Sequence, residues 1–109
     1  MQAPKVLATL AIACAVSATA YANCRLPTAP SKIPDGATAS QQQMLTAMQT
    51  IQEYNHDVQT YLKCLDFEVR QNQMSSDHQA SLHNAAVDQL KRIAAEFNRQ
   101  VVIFKSKHS

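Results

Sequence analysis

The chain has 109 residues, with ten Lys plus Arg against eight Asp plus Glu, a formal net charge of +2, no Trp, three Cys and a single Gly. That length allows one small domain and bounds the core it can bury. Charges that nearly cancel and alternate in sign along the chain mark solvated faces. They exclude the concentrated basic stripe that nucleic-acid binding requires.

The first element is an export signal over residues 1–22. Lys5 supplies the positive start, Val6 to Val16 the apolar core, and Ala20-Tyr21-Ala22 the small-x-small cleavage site. The apolar stretch is shorter than the roughly 18 to 20 residues that a membrane anchor needs. Cleavage after Ala22 removes Lys5 and Cys14 and leaves two cysteines, Cys24 and Cys64. The expected location is therefore periplasmic or secreted, with no integral membrane segment after cleavage.

Residues 23–39 read as an extended tail. Pro27, Pro30 and Pro34 recur every third or fourth residue, which favours polyproline II geometry. Asp35-Gly36 then reads as a turn. Thr38 with Gln41, or Ser40 with Gln43, can form a capping box, and Ser40 is the better start because good first-turn residues follow it.

From Ser40 to Lys105 there is no Gly or Pro, and residues 40–107 read as a helical hairpin. The first helix carries a seam at alternating spacings of four and three: Met44, Met48, Ile51, Asn55, Val58, Leu62, Leu65 and Val69. That is a heptad pattern with Met44, Ile51, Val58 and Leu65 at d and Met48, Asn55, Leu62 and Val69 at a. The second seam is His83, Ala86, Leu90, Ile93, Phe97, Gln100 and Phe104, widened by Val87, Ala94 and Val101. The polar run Gln71 to Asp77 holds the turn, with Ser75 or Ser76 as the second N-cap. One continuous helix is the alternative there. The expected fold is all-α, an antiparallel two-helix hairpin of coiled-coil type, with core residues Met48, Ile51, Val58, Leu62, Leu65, Leu90, Ile93 and Phe97. Asn55 is either a buried register-fixing polar residue or a wet edge.

A hairpin this small needs a staple or a partner. In an oxidising compartment an even pair of cysteines is expected to bridge. Cys64 lies about 36 Å along helix one from Ser40, and the steps from Cys24 to Ser40 span about 50 Å in polyproline II form. A tail folded back along the helix therefore closes a Cys24–Cys64 disulfide. Cys64 sits off the seam at a c position, with Tyr61, Tyr54 and Ala47 in line at spacings of three and seven. Leu26, Pro27, Pro30 and Ile33 are expected to dock on Tyr54 and Tyr61, as proline-rich segments do on aromatic grooves. Otherwise the tyrosines face helix two or another copy.

The stretch Pro30-Ser31-Lys32-Ile33-Pro34-Asp35-Gly36-Ala37-Thr38-Ala39-Ser40, followed by Met44-Leu45 and Tyr61-Leu62-Lys63-Cys64-Leu65, resembles a group of small exported proteobacterial proteins. These share a Pro-x-Ile-Pro-Asp-Gly-Ala-Thr leader, a Tyr-Leu-x-Cys-Leu segment and a helical tail. The resemblance covers most of the chain beyond the signal. It implies location and fold and nothing catalytic.

No residue pattern points to catalysis. His56, His78, His83 and His108 include no i, i+4 pair, so no metal site is expected. Met44 and Met48 are i, i+4, the spacing a soft copper ion would use, yet both serve the apolar seam. Glu53 with Asp57 and Asp66 with Arg70 have helix-surface spacing. No nucleophile motif or Gly-rich phosphate loop is present. The chain reads as a non-enzyme without cofactors, a protein-interaction or structural module whose partner is another protein or a second copy. Leu82, Val101, Ile103 and Phe67 are apolar positions left over for such an interface. Leu45-Thr46-Ala47-Met48-Gln49 matches once the Leu-Thr-x-x-Gln signature of Spy-like periplasmic chaperones. A holdase is accordingly the alternative function.

Overall fold

The computed structural model describes residues 24–109. The export signal and its cleavage site after Ala22 lie outside the described residues. Two helices, α1 (Gln41–Arg70, 30 residues) and α2 (Ser76–Lys107, 32 residues), pack against each other, and no strand occurs among the described residues. The chain therefore doubles back at residues 71–75, and the hairpin rather than one long helix is what forms.

Each helix starts on a hydroxyl. Ser40 Oγ accepts from the Gln43 amide at 3.1 Å while Gln43 Oε1 accepts from the Ser40 amide at 2.8 Å, the reciprocal capping box. Ser75 Oγ accepts from the His78 amide at 3.1 Å, and Asp77 places a negative charge in the first turn of α2, where the helix dipole favours it.

The turn between the helices works without glycine. Asn72 has φ +57°, the left-handed region that Asn tolerates better than most residues. Its amide donates to the Val69 carbonyl at 3.0 Å and the Gln73 amide to the Glu68 carbonyl at 2.8 Å. Those two bonds form a Schellman termination, which satisfies carbonyls that the end of α1 would leave bare. Across the turn, Gln79 Nε2 donates to Asp66 Oδ1. Asp66 is thus tied to the opposite helix rather than to Arg70.

The core is Tyr54, Val58, Tyr61 and Leu65 of α1 with Ala86 and Ile93 of α2. Val58 and Leu65 are fully enclosed. Ile51, Leu62 and Leu90 pack on this cluster from its margins, and Phe97 is half-buried. Met48 departs from expectation: it is 39 % exposed and no part of the core. Asn55 is exposed as well, bonded only to Gln59 on its own helix, so it sets no register. The buried face of α1 runs through Met44, Tyr54, Val58, Tyr61 and Leu65, the d and g positions. It is turned by roughly 60° from the a/d seam.

The cause is a third body. Residues 24–40 lie against the hairpin, with Cys24, Ala29 and Ile33 packed on the core. Helix one must cover two neighbours, α2 on one side and the leader on the other. Its g positions fall between the two, and the a positions Met48 and Asn55 face outward. Leu82, expected to be spare, also packs on the core from α2.

Candidate functional site

The leader is held at both ends, and the residues under it form the most elaborated part of the surface. At its start, Cys24 and Cys64 form a disulfide with Cα atoms 5.6 Å apart and a sequence separation of 40. The bridge is half-buried and borders an open groove with Arg25, Pro27, Asp57, Thr60 and Tyr61.

At the other end the Asp35-Gly36 turn seats on α2. Asp35 Oδ1 accepts from the Ala37 amide at 2.9 Å, and the Asp35 carbonyl accepts from the amides of Thr38 at 3.1 Å and Ala39 at 2.8 Å. This leaves the Gly36 amide pointing away from the turn, where it donates to Gln100 Oε1 at 2.7 Å. Gly36 is buried, and a Cβ there would overlap the Gln100 carbonyl oxygen and lie 2.9 Å from the Phe104 nitrogen. Only glycine lets the turn approach α2 this closely.

Gln100 is the buried polar residue of α2. Its Nε2 donates to Glu96 Oε1 at 3.1 Å, and the same carboxylate takes two bonds from Arg99, at 2.7 and 2.9 Å. The hydrogen bonds from Arg99 and Gln100 hold the Glu96 carboxyl below its ordinary range. Arg99 is raised in turn, chiefly by its bond to Glu96 and its charge, with a smaller contribution from Asp35 across the leader.

Between these anchors lie Tyr54 and Tyr61, 4 % and 6 % exposed. They meet both partners considered from sequence. Tyr54, Tyr61, Pro27 and Ala29 line one cleft together with Leu82 and Ala86 of α2. Burial pushes the Tyr54 phenol up, partly opposed by the positive charge of Arg92. Of the leader residues expected on the tyrosines, Ile33 packs on the core, whereas Leu26 is 60 % exposed at the cleft edge. Ala29, a residue that sequence reasoning passed over, takes the buried position. Pro30 is half-buried and borders a groove against Ala47, Thr50 and Ile51.

Metal binding has one geometric candidate among the described residues: donor atoms of Cys24, Cys64 and Glu68 lie within 4.8 Å of one another. Both sulfurs are joined in the disulfide, and a metal ligand has to be a thiolate. None of the four histidines joins a group of donors among the described residues. His108 instead stacks on Phe104 with ring centroids 4.0 Å apart and closes the end of α2. Glu53, His56 and Asp57 share a polar groove on the open face of α1. No helix among the described residues is long and apolar enough to cross a membrane.

Several large apolar side chains stay uncovered. Leu45 and Met48 are 42 % and 39 % exposed one helical turn apart on α1, Phe67 is 50 % exposed, and Val102 on α2 is 67 % exposed. Comparison with protein-family models, with curated proteins and with solved structures finds no match.

Proposed function

We propose that this chain is an exported, non-enzymatic protein-interaction or structural module of the cell envelope, acting through its surface on other proteins or on a second copy of itself. The disulfide supports the compartment, because such bridges persist in oxidising environments. The likeness of its leader to small exported proteins points the same way. The observation that carries the interaction reading is the uncovered apolar edge of α1, where Leu45 and Met48 sit outside both the leader and α2.

Photo-crosslinking from position 48 in the native envelope tests this reading, with exposed Gln52 as the control position. A discrete adduct from position 48, absent from position 52, is expected. Light scattering of the purified protein separates self-association from a foreign partner. Equal, diffuse labelling from both positions overturns the interaction reading, and a cytoplasmic pool with two free thiols overturns the compartment.

A holdase role is the second reading, favoured by the exposure of Leu45 and Met48, which belong to the Leu-Thr-x-x-Gln string. It expects suppression of client aggregation at near-stoichiometric amounts. Lack of suppression at a tenfold excess removes it.

A further inference from the structure

We infer that the cleft between the leader, the two tyrosines and α2 is a binding site for a small organic monocarboxylate with an apolar body. The inference stands apart from the interaction reading above, and either can fail without the other.

The cleft has a volume of about 360 Å³, at the small end of the range of pockets that hold organic ligands. Its walls are Pro27 and Ala29 of the leader and Leu82 and Ala86 of α2, with Tyr54 and Tyr61 between them. These surfaces offer an apolar body somewhere to lie. They would be unremarkable without the polar groups set among them.

Tyr54 and Tyr61 are more than nine-tenths buried, yet neither hydroxyl has a hydrogen-bond partner among the described residues. Buried phenols normally find one. No enclosed side-chain oxygen or nitrogen among the described residues is left unpaired, so each hydroxyl keeps an opening to solvent. Tyr54 and Tyr61 both line this cleft. A phenol in this setting donates to whatever acceptor enters.

Arg92 supplies the charge. It lines the same cleft, and its one hydrogen bond is to Gln89 Oε1 at 2.5 Å, a neutral acceptor. The only ion pair among the described residues is Arg99–Glu96, so the Arg92 cation has no carboxylate of its own. Its charge is felt at Tyr54, whose ionisation it favours against the effect of burial. A guanidinium with free donors matches a carboxylate in shape and charge. Guanidinium, phenol donor and apolar walls together fit a ligand with one anionic end.

The test uses the full disulfide-bonded protein and a pair of probes with the same body, phenylbutyrate and its neutral alcohol phenylbutanol. The Tyr54 and Tyr61 ring resonances are followed by NMR during titration. Phenylbutyrate is expected to saturate with a Kd at or below about 1 mM, and phenylbutanol to bind about tenfold or more weakly. Arg92→Gln, on an exposed position, is expected to erase that preference without changing helical content. Tyr54→Phe is expected to weaken phenylbutyrate by roughly threefold to tenfold. Equal affinity for acid and alcohol overturns the inference. So does an unchanged preference in Arg92→Gln, or ring shifts that rise linearly without saturation to about 10 mM.

Discussion

The Gly36 amide donates to Gln100 Oε1 at 2.7 Å, joining residues 64 apart in sequence. This bond seats the turn that precedes α1 on the last third of α2, so the two ends of the hairpin's open side are tied by the chain's own leader. Gly36→Ala should be among the most damaging single changes. Its Cβ meets backbone atoms of Gln100 and Phe104, which cannot swing aside. A loss of about 1–3 kcal/mol is expected in urea denaturation followed by circular dichroism. Gln100→Leu, which leaves the buried Gly36 amide without an acceptor, should cost a similar amount, about 1–3 kcal/mol.

The Cys24–Cys64 bridge closes a loop with a sequence separation of 40. On the chain-entropy account that stabilises by about 4 kcal/mol. The double variant Cys24→Ser/Cys64→Ser should retain helical content at low temperature but melt well below the parent. An unchanged melting temperature would show that the leader is held by packing alone.

Exposure separates two apolar residues of similar size on the same helix. Leu65, 1 % exposed at a d position, should lose about 2–5 kcal/mol on Leu65→Ala through the cavity left behind. Met48, 39 % exposed at an a position, should change stability by no more than about 0.5 kcal/mol on Met48→Ser. A Met48→Ser loss comparable to that of Leu65→Ala would mean that the a/d seam is the buried one after all.

The turn offers a substitution in the stabilising direction. Asn72 occupies the left-handed region, where glycine is unstrained and alanine is not. Asn72→Gly should be neutral or stabilising by up to about 1 kcal/mol, and Asn72→Ala destabilising by about 1 kcal/mol. The midpoint of thermal unfolding reads both. The opposite order would contradict the turn geometry.

Acid should act through Glu96. Bonds from Arg99 and Gln100 lower its carboxyl in the folded state below the ordinary 4.5. A group depressed by folding contributes stability above its unfolded value and loses it as pH falls through the folded one. Stability should therefore drop on acidification below about pH 4.5. The group is exposed, so the effect is small. Glu96→Gln should flatten that limb of the stability–pH curve, and a variant curve parallel to the parent's would assign the acid sensitivity elsewhere.

Local signals determined much of this protein. The capping pair Ser40 and Gln43 and the N-cap Ser75 each act within a few residues, and each stands in the structure where those spacings place it. The Cys24–Cys64 pairing was legible too, since a helix rise and an extended-chain rise suffice to show that the ends meet. Asn72 carried a signal that is read easily only when glycine occupies the same place. Tertiary structure decided which stripe is buried. A seam counted along one helix assumes a single neighbour, whereas α1 has two, so burial moves from Met48 and Asn55 to Tyr54 and Tyr61. It also decided the roles of Gly36 and Gln100. Their contact depends on where a turn and a distant helix arrive in space, and no spacing along the chain encodes that meeting.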